Sequence, residues 1–475
     1  MRHPPGEDGI ALLLVLLAVS ILSLLGLYVA LNATADARIS DNFESHIQAK
    51  YAAQAGLNHA RALLRGLDFD GLLRGPDGVY DGSALAQARS FGFRNPVSWS
   101  MARSLNILNP AADLAGSADD GVIGASVVLI PKEGIALTAP NPQGPGTLTT
   151  GRYFVKVSDN NGEASELAGD PADNPFVDGD GTVIVRSMGI GQTIHEAAGV
   201  AVRRNSVVVF EARFRHRSTF NLISPLTVAG NNVNATFDES TFRISGGAGP
   251  GIGTVDTTIG DNIHPDQIIL QAAERKGSIT GGGLPSPSIR DLTDSVLGDP
   301  EKALLLDPEF LWNFVTMTVA RIADNVFDGD QTWDGGAPSN LGTFDVTKRI
   351  NDPAQDPRVT LVNGGLTVSG NVTGGGLLVI RGDFRCNPGF SFKGLILVIG
   401  TGKLEAISLD PGVVGGVFLA SVNNSGGVPA FGTPDLLLGG NSTITADASA
   451  VKMAIGLLPP SQISYREVTS VLDPP

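Results

Sequence analysis

The sequence predicts an α+β protein in which one long N-terminal helix precedes mainly-β domains, and three observations support this. The segment 10–65 contains no proline and has helical patterning. The chain of 475 residues contains 60 Gly and 29 Pro but only 17% charged residues, a composition typical of turn-rich β structure. Short apolar runs bounded by Gly, Pro and Asp fill the remainder and predict strands.

The helix begins with an apolar segment, 9–31 (GIALLLVLLAVSILSLLGLYVAL). Its roughly 22 apolar residues are interrupted only by two Ser and one Gly, and they are enough to cross a bilayer. The helical pattern then continues over 32–64. A helix over 10–65 would be about 84 Å long, more than twice the thickness of a bilayer. Its second half must therefore pack on protein.

Three interpretations of this N-terminus compete. A cleaved signal peptide would use 33–35 (Ala-Thr-Ala) as its cleavage site, but the apolar core is longer than signal peptides have. An ordinary membrane anchor fits the length. The third interpretation is an assembly helix, which resides first in the membrane and later in a protein polymer.

The continuation of the helix favours the assembly interpretation. Apolar residues recur at four-residue steps and define one side of the helix, which we call the assembly ridge: Ile39, Phe43, Ile47, Tyr51 and Ala55. Small residues in 52–60 would allow another element to approach closely. The alternative is that this half packs only on the protein's own globular domain.

The chain divides into a leader (1–9), the N-terminal helix (10–66), a mixed β-rich domain (67–218) and a Gly-rich distal domain (219–475). Strands are predicted over 125–130, 152–157, 182–186 and 200–214, and then over 226–231, 242–246, 366–371, 377–382, 395–400, 416–420 and 442–445.

The distal strands are each too short to bury a face alone, so stacking as a β-solenoid is expected, with a sandwich as the alternative. The run LTVAGN at 226–231 has an echo, LTVSGN, at 366–371. A helical insertion near 298–324 is predicted because Asp307 and Pro308 form an N-cap and first-turn pair before an apolar stripe that would pack on a sheet.

The net charge of −15 argues against a nucleic-acid partner, which would need clustered Lys and Arg. The basic cluster at 213–217 is interpreted as an exposed strand end. Cys386 is the only cysteine, so no intrachain disulfide can form.

No motif for a nucleophile, zinc protease or P-loop is present, and no enzyme activity and no cofactor are expected. Two acidic loops contain Asp-Gly-Asp and are weak calcium candidates through Asp178, Asp180, Asp328 and Asp330, although tight turns favour the same residues. A glycan-acting enzyme would need acidic pairs from neighbouring turns of the chain, for which Asp383 and Asp410 are the candidates.

The apolar segment 9–31, followed by Ala52-Ala53-Gln54-Ala55-Gly56-Leu57 and Ala60, resembles the PilX N-terminal domain of minor type IV pilins. The distal runs 366–371, 376–383 and 392–400 look like the Gly-punctuated β segment of large PilX-like proteins. A weaker similarity is to the pseudopilin at the tip of type II secretion systems.

The resemblance implies that a prepilin peptidase cuts after Gly9 and leaves Ile10 as a methylated N-terminus. Leu14 stands at the fifth mature position, where most major pilins carry glutamate, so a tip or initiating position is expected. Leu14, Leu17 and the assembly ridge would form the assembly surface.

The expected function is therefore that of a minor pilin-like assembly protein of a type IV pilus or a related secretion pseudopilus. Its expected partners are the inner membrane, other pilin or pseudopilin subunits and the prepilin peptidase. It would cross the inner membrane once with its bulk in the periplasm, and reach the pilus or cell surface after assembly. The alternative is a membrane-anchored surface β-helix protein, either an adhesin or a polysaccharide-acting enzyme, with no filament role.

Overall fold

The computed structural model describes residues 7–65, 69–73, 99–114, 122–124, 127–141, 144–160, 181–197, 200–238, 241–258, 260, 263–274, 276–283, 285–335, 338–345 and 354–468. The predicted α+β class is confirmed, with a long N-terminal helix followed by mainly-β structure. Helix α1 spans Glu7–Leu63 without interruption. Short helices α2 (Phe69–Leu73), α3 (Trp99–Ala102) and α4 (Pro110–Asp113) follow it.

The mixed β-rich domain, which we call the proximal domain, is built around an antiparallel sheet. A small hairpin, β1 (Val122–Gly124) and β2 (Val127–Ile130), precedes it. The sheet itself contains β3 (Ile135–Pro140), β4 (Thr147–Asp159), β5 (Thr182–Ala197), β6 (Val200–Arg215) and β25 (Ser461–Val468). Their order is β25-β6-β5-β4-β3, and every neighbouring pair is antiparallel. The C-terminal strand of the described chain thus returns to the sheet that carries α1.

Side chains of β6 are buried alternately on the two faces of this sheet. Val208, Phe210 and Ala212 pack towards α1, together with Val183 and Val185 of β5. The intervening Val209 packs on the other face with α3, α4 and the segment that joins them. Successive side chains of a strand point to opposite faces, so a strand covered on both sides is apolar almost throughout.

The distal domain contains the remaining strands. They are β7 (Leu226–Ala229), β8 (Asn234–Phe237), β9 (Arg243–Ser245), β10 (Ile252–Val255), β11 (Ser278–Thr280), β12 (Ile289–Asp291), β13 (Asn325–Asp328), β14 (Gln331–Asp334), β15 (Arg358–Asn363), β16 (Leu366–Ser369), β17 (Val372–Ile380), β18 (Phe384–Cys386), β19 (Phe390–Gly400), β20 (Lys403–Ala406), β21 (Pro411–Ser425), β22 (Val428–Phe431), β23 (Asp435–Leu438) and β24 (Thr443–Ala446).

From β13 to β20 the chain passes alternately between two parallel sheets. The larger sheet contains β13, β15, β17, β19 and β21, and the smaller one contains β14, β16, β18, β20 and β23. Register partners such as Val372 and Phe390 lie roughly 18 residues apart, the length of one turn of the chain through both sheets. We call such a turn a rung. Inward side chains of both sheets form one continuous core.

The stacking order of the rungs differs from their order along the chain. Strand β21 pairs with β7, β23 with β8 and β24 with β9, all in parallel. The first distal strands therefore extend the stack beyond the last rung, and β10 and β12 lie farther out. Since β12 lies at one end of the larger sheet and β13 at the other, the segment between them must run back along the whole stack.

This returning segment is the predicted helical insertion. It contains α6 (Thr293–Leu297), a 3-10 turn (Lys302–Leu306), α7 (Pro308–Asn313), a π-helical turn (Phe314–Val319) and α8 (Ala320–Ile322). The Asp307 side chain caps α7 by accepting from the backbone N–H groups of Glu309 and Phe310, as predicted. Elsewhere the domain carries α5 (Pro265–Ala273) and α9 (Ala448–Gly456).

The insertion and α9 cover the outer face of the larger sheet. Phe314, Val315 and Val319 of the insertion are buried there against β15, β17, β19 and β21. Because this sheet is buried on both faces, its strands are continuous apolar runs such as 395–399, without alternation. Predicted packing of the apolar stripe on a sheet is confirmed.

Two sequence observations have different outcomes. The echoing runs lie in different sheets, since β7 belongs to the larger and β16 to the smaller, so the echo does not mark equivalent rung positions.

The interpretation of 213–217 as an exposed strand end is wrong for its second half. His216 stacks on Phe69 at 3.7 Å between ring centroids, and the Arg217 Nε donates to the Pro459 carbonyl at 3.3 Å. These residues join elements rather than face solvent.

Candidate functional site

No described part of the chain packs around the N-terminal half of α1. Among the described residues, α1 is the one helix long and apolar enough to cross a membrane, and no residue of its most apolar window is buried. Leu14 and Leu17 are 57% and 53% exposed. Gly9 and Ile10, the predicted processing residues, lie in the helix just after its start at Glu7. This half needs an apolar environment from outside the chain.

The assembly ridge continues that exposed surface beyond the length of one bilayer span. Ile39, Phe43 and Tyr51 are 67%, 65% and 70% exposed. Ile47 and Ala55 are half-buried, so three of the five ridge residues are clearly exposed to solvent. Large apolar side chains at this exposure on one side of a helix are unusual on a soluble surface and make this side a candidate interaction surface.

The side of α1 away from the exposed ridge residues packs on the proximal sheet. Ala49, Ala52 and Ala53 are completely buried there, followed along the helix by Leu57 and Ala60. The predicted close approach of small residues is therefore made within the protein itself. At this stretch one face of α1 is thus fixed to the protein's own sheet, and the other face carries exposed apolar side chains.

Glycines of β5 form the seat that receives the helix. A Cβ on Gly189 would lie 2.0 Å from the Ala49 carbonyl oxygen and 2.3 Å from the Ala53 nitrogen. A Cβ on Gly191 would lie 2.1 Å from the Ser45 carbonyl oxygen. Only glycine permits this contact between the helix backbone and the strand. Neither glycine was predicted as a contact site from the sequence, although two glycines within an apolar strand signal close backbone approach.

Polar contacts fix the helix at the seat. The Ser45 and Ser206 hydroxyls lie 2.7 Å apart, and His59 Nδ1 lies 2.9 Å from the Tyr153 hydroxyl. Burial beneath the helix raises the pKa of Tyr153 above its ordinary value. The neutral phenol is therefore the form that belongs to the folded helix–sheet contact.

Arg65 connects the end of α1 to the distal domain. Its Nε donates to the Leu457 carbonyl and its Nη2 to the Ile322 carbonyl, both at 2.8 Å. The same Nη2 lies 3.5 Å from a carboxylate oxygen of Asp324. Both carbonyls belong to helix ends, which lack intrahelical partners. Arg65 thus joins the end of α1 to the distal domain.

Two of the four calcium candidates, Asp328 and Asp330, lie among the described residues. Asp178 and Asp180 lie outside the described residues. The Asp328 carboxylate accepts from Asn363 Nδ2 at 2.9 Å, and that of Asp330 from the Gly365 N–H at 2.7 Å, so both tie neighbouring rungs together. Within the part of the chain that the structure describes, no group of three or more His, Cys, Asp or Glu side chains could hold a metal ion.

The two acidic residues considered for a glycan-acting enzyme are not brought together by topology. Asp383 precedes β18 of the smaller sheet, whereas Asp410 precedes β21 of the larger sheet. They therefore lie at different corners of the rungs. Asp383 instead accepts from the Thr401 hydroxyl of the next rung at 2.7 Å.

The comparison with protein families identifies a match to the N-terminal helix. The model of the PilX N-terminal family matches residues 8–58, which contain the apolar segment, the assembly ridge and the small residues at the seat. No curated protein matches the chain. Among solved structures, the competence-associated pilin ComZ from Thermus thermophilus matches with 10% identity and a TM-score of 0.17, over 89% of this chain and 97% of that one. A TM-score this low does not indicate a common overall fold. Residues 8–58 therefore carry a PilX N-terminal domain, and the family recognised from the sequence is confirmed over that segment.

Proposed function

We propose that this protein is a minor pilin-like subunit that enters a type IV pilus, or a related secretion pseudopilus, through α1. The observation that carries the proposal is the exposed apolar surface that runs from the membrane-length segment to Tyr51, while the other face of the same helix is fixed to its own sheet. A permanent membrane anchor needs only the membrane-length apolar segment. A subunit that packs among other helices also needs the exposed apolar surface that continues to Tyr51.

The energetics favour a protein partner for the ridge. Burying a large apolar side chain is worth about 1.5–3 kcal/mol. Ile39, Phe43 and Tyr51 keep roughly two thirds of their surface exposed, so covering them would gain about 3–6 kcal/mol together. They lie beyond the roughly 20 residues that a bilayer covers, so lipid alone does not supply this burial. Helices of neighbouring subunits that are similarly apolar would bury these side chains.

The remaining expectations follow from the pilin-like N-terminus. A prepilin peptidase would cut between Gly9 and Ile10 at the inner membrane, with the β domains in the periplasm. Leu14, in place of the usual glutamate, supports a tip or initiating position. The parallel alternation of distal strands supports a β-solenoid that projects outward for surface interaction. The protein would act by assembly rather than by catalysis.

The test is to place a charge on the ridge of the full-length protein in its native host. Phe43→Glu should leave the chain in the membrane fraction, because residues 12–31 are unchanged. It should lower the amount in sheared surface filaments about tenfold or more, since the loss of about 1.4 kcal/mol of burial corresponds to a factor of ten. Asn42→Glu, which adds the same charge at an exposed polar neighbour, should assemble like the parent.

Equal incorporation of the Phe43→Glu and Asn42→Glu chains would contradict the proposal and favour the anchored surface protein. A second pair of changes separates membrane residence from assembly. Leu17→Glu or Leu17→Lys should reduce both, because a charge inside the bilayer segment opposes residence in lipid and packing in a helix bundle alike.

A further inference from the structure

A groove of about 720 Å³ follows one corner of the distal stack. Its floor crosses four strands of the smaller sheet, and its volume falls within the range of ligand-binding sites. One wall comes from the helical insertion and the larger sheet, and one end is closed by the tip of β21. Its principal polar and aromatic lining residues are Trp312, Asp330, Thr332, Thr367, Arg381, Asp383, Arg385, Thr401, Glu405, Asn423 and Asn424.

The floor carries an in-register row of outward side chains. Thr332 pairs in register with Thr367, Thr367 with Arg385, and Arg385 with Glu405. The residues that follow them, such as Val368 and Cys386, are buried in the core, so the row faces the groove. Neighbouring strands are about 4.8 Å apart, so the row presents one polar side chain per rung over roughly 14 Å.

Acceptors and amides flank this row. Asp330 and Asp383 each use one carboxylate oxygen in the inter-rung hydrogen bonds described above, which leaves each with a second oxygen as an acceptor. The exposed side chains of Asn423 and Asn424 stand at the far end and can both donate and accept. The groove therefore offers both donors and acceptors along its length.

The wall supplies a flat surface. The Arg381 guanidinium lies 4.9 Å from the ring centroid of Trp312, and its Nη1 donates weakly to the Asn363 side-chain oxygen at 3.4 Å. A planar guanidinium that covers one face of the indole, together with the adjoining indole edge, suits a ligand that has apolar C–H groups on one face and hydroxyls at its rim. Pyranose rings have this chemistry.

Charge and backbone pairing narrow the ligand class. The three carboxylates of the groove face two arginines, and Glu405 is already paired with Arg385 at 2.7 Å. Neither the excess of carboxylates over arginines in the groove nor the protein's net charge of −15 favours a polyanionic ligand. Strands β16, β18 and β20 are paired on both sides, so a peptide could add as a further strand to the floor only beside β14, which ends the smaller sheet.

We propose that this groove binds a neutral linear polysaccharide that lies along the stack axis. A pyranose unit in an extended chain is about as long as the distance between rungs, so successive sugars would meet successive members of the row. About three sugar units would fit along the floor. The site would be the surface contact of the proposed outward domain, and only its biological use rests on that function, because binding can be measured on the purified protein.

The experiment is calorimetric titration of the purified full-length chain in detergent with cellohexaose and with chitohexaose. At least one should give saturable binding. Thr367→Trp would fill the centre of the floor and should weaken that binding at least tenfold. Thr373→Trp places the same side chain at an exposed strand position outside the groove, and should bind like the parent. Asn423→Ala, a smaller change at an exposed position, should weaken binding severalfold.

Three results would overturn the proposal. They are no saturable binding of either neutral hexasaccharide at millimolar concentration, equal binding by the Thr367→Trp, Asn423→Ala and parent chains, or tighter binding of hexagalacturonate than of both neutral sugars. None of them bears on filament assembly, which is read from the ridge variants. A failure of assembly would in turn leave the calorimetric result unchanged.

Discussion

Replacement of Gly189 by alanine tests whether the helix seat depends on glycine. The new Cβ would lie 2.0 Å from the Ala49 carbonyl oxygen and 3.0 Å from the Ala52 carbonyl carbon, both backbone atoms of α1. Non-bonded heavy atoms are comfortable at about 3.5 Å or more, so the helix must move outward by roughly 1.5 Å. A backbone cannot yield as the end of a flexible side chain can.

The expected cost follows from that movement. Overpacking of a core typically costs about 1–3 kcal/mol, and a clash with helix backbone belongs at the upper end of this range. Displacement would also open contacts of the fully buried Ala49, Ala52 and Ala53 with the sheet. We therefore expect Gly189→Ala to lower the free energy of unfolding of the proximal domain by about 3 kcal/mol.

Neighbouring glycines provide a graded control. Gly191→Ala meets the Ser45 carbonyl oxygen at 2.1 Å and should cost a similar amount, whereas Gly151→Ala meets its nearest atom, the Ile190 carbonyl oxygen, at 3.2 Å and should cost much less. Urea denaturation of the detergent-solubilised full-length chain, followed by tryptophan fluorescence and circular dichroism, measures the order. A Gly189→Ala chain as stable as the parent, or less affected than Gly151→Ala, would refute the account of the seat.

Three further changes probe the rest of the fold. The buried carboxylate of Glu211 accepts from two arginines, at 2.7 and 2.6 Å, so Glu211→Gln should lower the free energy of unfolding by about 3 kcal/mol in urea denaturation, and an unchanged value would contradict its structural role. Arg65→Ala should remove about 1–3 kcal/mol of charge-assisted bonding between α1 and the distal domain, visible as a wider spin-label distance distribution between them, whereas an unchanged distribution would show the contact to be dispensable. Burial raises the pKa of Tyr153 above its ordinary 10.0, so its stabilising effect is complete below pH 10 and is lost as pH rises through the folded-state pKa. Tyr153→Phe should therefore reduce the alkaline loss of stability in a pH series of urea titrations, and an identical pH profile would contradict the assignment.

The helix and its two faces were largely predictable from sequence, because helical periodicity is a local property. Exposure of Phe43 and Tyr51 and burial of Ala52 and Ala53 both follow from their spacing. The seat was not predictable in the same way. Gly189 and Gly191 lie more than a hundred residues from the helix, and only the folded sheet brings them beneath it.

The distal domain shows the same division between local and non-local information. Apolar runs located seven of the eighteen described distal strands, and Asp307 with Pro308 located a helix start, because capping acts within one turn. Pairing of β21 with β7 joins segments almost two hundred residues apart, which no local pattern encodes. The groove was missed for this reason. Its row takes one residue from each of four strands, and Thr367 or Arg385 alone carries no signal in the sequence.

The most direct test of the proposed assembly helix is the intact mass of the chain recovered from sheared surface filaments of the native host. We expect the chain to be present in that fraction and to begin at a methylated Ile10, since the proposed subunit loses its leader before α1 enters the polymer. Absence from the filaments, an intact Met1, or a start near Asp36 would contradict the account.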